Sequence, residues 1–337
     1  MAKQNASRAK RSASGARLVP TNLPGVYSFE PPKPGAIHPK SAPKTLKRHG
    51  VPLRPSGNRS RRAAVLWESL ISRRLQHIHP HLEVLAVKKP PPRNVKRHKP
   101  SRSDETDSNS ASASTNWSGG ALASPARKLI AAYAEWVVPN VKRGPGDLDA
   151  QSPWKSSTWV GLDGWGISDD VLQAGTAQYV DIIDGQDTAH YYAWYEWFPF
   201  FEVRIDNFAV APGDAIFAYV AFDGPDSLQV QYGHAWLVNL TSGIETSVYF
   251  PQPGPVDLPA GFLGNTAECI MEAPGFVMPD GAIGLHNFPH FGEVAFVNFG
   301  ASSDDGAVFG PDDLTTIALT NQRSDGELRR AVVCKPV

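Results

Sequence analysis

From Thr115 to the C-terminus, apolar residues come in short runs broken by Gly, Pro, Asn and Asp: AAYAEWVVP, STWVGLDG, YYAWYEWFP, APGDAIFAYVAFDG, HAWLVNLTSG, GEVAFVNFG and RRAVVCKPV. Such runs, with almost no helical periodicity, predict an all-β sandwich or barrel with long strands and more than about ten of them. Two runs carry polar residues that fit poorly. In NTAECIMEAP, alternation puts Ala267, Cys269 and Met271 on one face and Glu268, Ile270 and Glu272 on the other. In AWYEWFP, Trp194, Glu196 and Phe198 share a face opposite Tyr195 and Trp197. By pattern alone, Glu268 belongs on the exposed side of an antiparallel sheet.

The first third of the chain follows another pattern. Residues 1–60 are rich in Pro, Ser, Lys and Arg, have no sustained period, and are expected to be largely disordered. In residues 61–80, Ala63, Leu66, Trp67, Leu70, Ile71, Leu75 and Ile78 recur at helical spacing and Pro80 ends the pattern. This predicts one basic amphipathic helix, packed on its own chain. Residues 88–114 run from Pro/Lys/Arg to Ser/Asn/Asp, the composition of a readily cleaved linker. The expected division is therefore a region 1–114 and a domain 115–337.

Charge sharpens that division. Residues 1–114 carry 23 Lys and Arg against 6 Asp and Glu, and residues 115–337 carry 10 against 27. A net charge of zero thus splits into +17 and −17, which suggests that the two parts meet and that acid or salt weakens their attraction.

Several classes are excluded or left without support. There is no apolar run long enough for a membrane span and no apolar core of a secretory signal near the N-terminus. Cys269 and Cys334 make no disulfide framework; one bridge between them stays open, and the favoured reading is two buried thiols. Neither a nucleotide-binding glycine loop nor a Gly-x-Ser-x-Gly elbow is present. His286 and His290 in HNFPH have zinc-like spacing, but Pro289 argues against the helix it would need, so they read as a solvated loop. No metal or cofactor is expected.

The segments NWSGG, WVGLDG, LQAG, AWYEWFP, PGDAI and NTAECIMEAP, in this order and at these spacings, resemble the glutamic peptidases, the eqolisin family of acid proteinases. The resemblance covers about two-thirds of the chain, from Thr115 onward. It implies a concanavalin-like sandwich of two large antiparallel sheets with a cleft on one curved face. It also implies a catalytic dyad of Gln173, in LQAG, and Glu268, in NTAECIMEAP. Trp117, Trp159, Asp163, Trp194 and Glu196 match residues that line the cleft and bind substrate or bond near the dyad. Phe198 stands where fungal members have Tyr, and Ala177 where some have an acidic residue. Cys334 matches a cysteine of the terminal strand but lacks its local partner, so it reads as free.

The dyad makes chemical sense. A carboxylate can take a proton from an attacking water and return it to the leaving amine. With an ordinary pKa of about 4.3 it still works in moderate acid, where a histidine base is protonated. An uncharged amide donates to an oxyanion at any pH. The resemblance further implies that the basic N-terminal region is an intramolecular inhibitor with its helix docked on the catalytic domain, and that the enzyme is secreted, acting on protein or peptide substrates with no nucleic acid involved. A competing reading is an inactive, lectin-like sandwich whose Trp residues stack on sugars.

Overall fold

The computed structural model describes residues 16–33, 35–55, 61–85, 112–144, 153–166, 168, 170–225, 229–252, 261–277, 283–322 and 328–333. Two large, mainly antiparallel sheets face each other, as expected. The nine-stranded sheet is built around Leu129–Val137, Ala215–Pro225, Gln231–Asn239, Ile244–Pro251 and Val297–Ser303. The ten-stranded sheet runs in the order Leu328–Val333, Thr315–Gln322, Trp117–Ala123, Thr266–Glu272, Trp154–Leu162, Val171–Ile183, Gln186–Phe198, Val203–Ile205 and Leu82–Val84, with Ser112–Ser114 paired to Thr315–Gln322.

Strand alternation builds the core between them. Val160, Leu162, Leu172, Ala174, Tyr195, Trp197, Ala267, Cys269 and Met271 point inward from the ten-stranded sheet, against Ala134, Trp136, Ile216, Ala218, Leu237 and Phe250 of its partner. Thr176 accepts the indole N–H of Trp136 across the gap at 3.1 Å, so the one polar group of that large side chain is satisfied. Cys269 is buried, and Cys334 lies outside the described residues.

The opposite face of the ten-stranded sheet is not a solvated polar surface. It carries a second apolar cluster of Trp117, Ala121, Trp159, Val171, Tyr192, Trp194 and Ile270. Glu268 lies on this face and is 0% exposed, so the plain reading of its strand as one-side-solvated fails.

The N-terminal region is more regular than its composition predicts. Residues 16–55 contain the strands Leu18–Pro20 and Tyr27–Phe29 and a short helix, α1 (Pro43–Arg48). The apolar residues here are few, but Leu18, Phe29 and Leu46 are each buried. The predicted amphipathic helix is α2 (Arg61–Ile71), which ends sooner than expected. Beyond it, Gln76–His77 pairs in parallel with Ile244 and Glu245. Leu75 and Ile78 fit a helical period, yet the sheet edge offers this backbone partners that a lone helix end lacks.

Candidate active site

Register across the ten-stranded sheet decides which distant residues meet. Glu196 pairs with Gln173, Gln173 with Gly161, Gly161 with Glu268, and Glu268 with Ala121. Directly opposed residues share a face, so these five form one row straight across five strands. Gln173 and Glu268 therefore stand two strand spacings apart, about 10 Å between their Cα atoms. Gly161 lies between them with no side chain, and the Trp159 ring and Gln173 pack close over its backbone. A Cβ at Gly161 would stand 3.3 Å from the Gln173 Cβ and 2.9 Å from the Trp159 ring.

Glu196, half-buried, holds Gln173 in place. The Gln173 amide Nε2 donates to Glu196 Oε2 at 2.6 Å, while Gln173 itself is 4% exposed. One of the two amide N–H groups is thereby committed. A bond from an amide to a carboxylate is charge-assisted, which fixes the orientation firmly.

Asp163 acts on the neighbouring strand. It is fully buried at the end of the Trp154–Leu162 strand, with a φ of 66° that suits Asp or Asn better than most residues. Its carboxylate accepts the backbone N–H of Leu263 at 2.8 Å, Gly264 at 3.0 Å and Asn265 at 2.9 Å. Its own N–H donates to the Thr266 carbonyl at 3.0 Å. Asp163 thus ties down the turn that leads into Thr266–Glu272 and sets where Glu268 stands. Burial pushes its pKa up, against the pull of those backbone N–H groups. Asp163→Ala would leave three backbone donors, one of them buried and two partly buried, without their acceptor, and would remove the polar side chain that lets Asp tolerate a φ of 66°. A stability loss of about 3–6 kcal/mol follows. Urea unfolding measures it, and a loss under about 1 kcal/mol would refute this role.

The tryptophans make a floor beside the row. Trp117 meets Trp159 edge-on at 5.0 Å and stacks with Trp165 at 6.2 Å. The Trp159 indole N–H donates to Glu272 Oε2 at 2.8 Å, and Asn116 donates to Glu272 Oε1 at 3.2 Å. Trp194 lies in the same cluster, joined by Tyr192 and Phe198. Burial, followed by the Glu202 carboxylate, holds the Tyr192 phenol protonated well beyond its ordinary range.

All seven residues singled out from the sequence thus lie on or beside one face. Gln173, Glu196 and Glu268 share the row, Trp117, Trp159 and Trp194 form the floor, and Asp163 supports from below. Sequence reasoning passed over Gly161 and Glu272. Glu272 was visible as the second carboxylate on the Glu268 face, four residues on; Gly161 had no signal beyond its motif. His286 departs from the solvated loop expected of it: its Nδ1 lies 3.1 Å from the Pro153 carbonyl, and burial lowers its pKa to about 4.

The comparison with known families adds the decisive observation. Residues 115–334 match the model of the Peptidase A4 family. The chain belongs to this family. Its members are the eqolisins, glutamic peptidases, and the chain is an acid endopeptidase of the eqolisin type. It is 30% identical to aspergillopepsin-2 of Aspergillus niger over 225 residues, which span 63% of this chain and 72% of that protein. It is 29% identical to scytalidopepsin B of Scytalidium lignicola over 146 residues, 43% of this chain and 48% of that one. Among solved structures, scytalido-glutamic peptidase with a transition state analog inhibitor is 26% identical, with 60% of this chain and 87% of that one covered and a TM-score of 0.48. The aspergilloglutamic peptidase of Aspergillus niger is 31% identical, with 52% and 90% covered and a TM-score of 0.38.

Proposed function

We propose that this eqolisin hydrolyses peptide bonds in acid through Glu268 and Gln173. The observation that carries the reading is the single row Glu196–Gln173–Gly161–Glu268, which sets the Gln173 and Glu268 side chains on one face, two strand spacings apart. A peptide carbonyl lies within reach of both heads. Glu268, as carboxylate, takes a proton from a water that attacks the carbonyl carbon. The oxyanion receives the second N–H of the Gln173 amide, whose first N–H is held by Glu196. Glu268 then passes its proton to the leaving nitrogen, and the C–N bond breaks. An extended protein or peptide chain lies on the aromatic floor of Trp117, Trp194 and Tyr192, where rings bury area without demanding a particular sequence.

The N-terminal region inhibits this site before activation. Leu82–Val84 adds a strand to the edge of the catalytic sheet, and Leu85 packs against the aromatic cluster. The expected activation cut near residue 114, in the linker, falls largely among residues outside those described. Among the described residues no helix is long and apolar enough to cross a membrane. The likeness to the fungal acid peptidases supports action outside the cell.

The test is incubation of the full chain with a denatured protein from about pH 2.5 to pH 7, with mass spectrometry of every product. Gln173→Ala run alongside should lower kcat by about 100- to 1,000-fold, the usual cost of one oxyanion donor. If no substrate is cut at any pH, even after an external protease has opened the linker, the reading fails.

A further inference from the structure

The described residues between 16 and 78 dock mainly on the outer face of the nine-stranded sheet, the side away from the catalytic row, with Leu23, Val26 and Ile78 reaching the core between the sheets. On the outer face Trp67, Leu70 and Ile71 of α2, with Leu46 of α1, form one buried cluster with Phe217, Trp236 and Val238 of the sheet. Leu18 and Phe29 form another with Tyr232 and Tyr249. The backbone joins in as well. Tyr27 pairs with Tyr249, Gln76 and His77 with Ile244 and Glu245, and the amides of Gln76 and Ile78 donate to Gly243 and Glu245 at 2.8 Å each. Side chains complete the seam: Ser247 Oγ accepts the Phe29 N–H at 3.3 Å, and Thr246 Oγ1 donates to the Ile78 carbonyl at 3.0 Å.

Charge plays a small part in these contacts. The ion pairs described between the N-terminal region and the catalytic domain are His77–Glu245 at 3.5 Å, His81–Asp206 at 3.9 Å and Glu83–Arg204 at 3.9 Å. The last has the polarity opposite to that of the overall charge split, and the last two are largely exposed, so they hold little. The +17/−17 division acts as a long-range field, while the seam itself is apolar and hydrogen-bonded. Without residues 16–78 the sheet would present Phe217, Tyr219, Trp236 and Val238 to water as one apolar patch, of the kind folded monomers avoid.

We propose that this outer sheet face is a permanent interface whose partner is the chain's own segment 16–78, so that cutting the linker yields a two-chain particle and not a released leader. Activation then needs the end of the segment to leave the catalytic sheet. That end, Leu82–Val84, makes three register pairs with Val203–Ile205, buries Leu82 in the core between the sheets and is bonded at Leu82 to the Asn22 side chain, with Leu85 following it. The anchor on the other side keeps its seam. The proposal is independent of the catalytic reading, because it concerns what remains bound once the linker is open.

The test uses the full chain carrying Glu268→Gln, so that no self-cleavage intervenes, with a site for a specific protease placed between Lys96 and Ser101. After cutting at pH 7, the two fragments should elute together on gel filtration in both about 0.15 M and about 1 M salt, and should separate only in denaturant. Separation at both salt concentrations overturns the proposal. Separation only at high salt also overturns it, in favour of a purely electrostatic attachment. Trp67→Ala combined with Leu70→Ala in the cut protein should release at least about ten times more of the segment. If that variant fails to fold before cutting, the elution of the cut parent protein still decides the matter.

Discussion

Glu268→Gln is expected to lower peptide hydrolysis by about 100- to 10,000-fold at every pH where the parent is active, with the fold unchanged. The substitution keeps the side chain's volume and its place in the row between Gly161 and Ala121. What it removes is the only chemistry an amide lacks, the capacity to take up and return a proton. The site is fully buried, so a neutral amide costs no more to bury there than a carboxylate does. The variant should therefore melt at or above the parent temperature while kcat collapses. Retention of more than about a tenth of the parent kcat would remove Glu268 from the role of base. A parallel loss of folded protein would make it a structural residue instead.

The second large effect is a loss of stability in acid that traces to one imidazole. His234 lies on the outer face of the nine-stranded sheet, its ring 4.5 Å from Phe29 and 5.6 Å from Tyr219. Burial lowers its pKa from 6.5 to about 3. In the unfolded chain the ring binds a proton near its ordinary value; in the folded protein it does so only near 3. Between those limits the unfolded state holds more protons, so stability is full above about pH 6.5 and falls as the pH drops toward 3. The full difference amounts to about 5 kcal/mol. His234→Leu removes the group, so the variant and the parent should be of similar stability at pH 7 and diverge in favour of the variant at pH 5 and pH 4. Urea unfolding at these pH values reads the divergence directly. A constant difference across the range would mean that His234 is not the source. His286, lowered to about 4 by burial, adds a smaller loss of the same sign. Because Phe29 of the N-terminal region covers His234, part of this cost falls on the seam between that region and the sheet.

The sequence by itself determined a good deal. Period-two patterning gave the strands and sorted their residues onto two faces: Tyr195 and Trp197 lie in the core between the sheets, and Trp194 lies with the second cluster. It did not show that the Glu268 face is buried too. Motif order gave the family before any geometry was known. The helix at 61 was legible because Trp67, Leu70 and Ile71 share one stripe, all buried in the fold.

Other features exist only in three dimensions. Gln173, Gly161 and Glu268 share a row because three strands pair in one register, and register depends on cross-strand packing that no local stretch encodes. Asp163 reads as a turn residue, yet the turn it ties down lies 100 residues further on, a distance at which sequence spacing carries no information. The end of α2 at Ile71 and the strand at Gln76–His77 follow from a sheet edge offering hydrogen bonds that the segment does not contain. Composition predicted a largely disordered stretch at residues 1–60, since it counts apolar residues without knowing whether a surface awaits them. In the fold, Leu18, Phe29 and Leu46 find such a surface, and a few well-placed contacts order a segment that could not bury a core of its own.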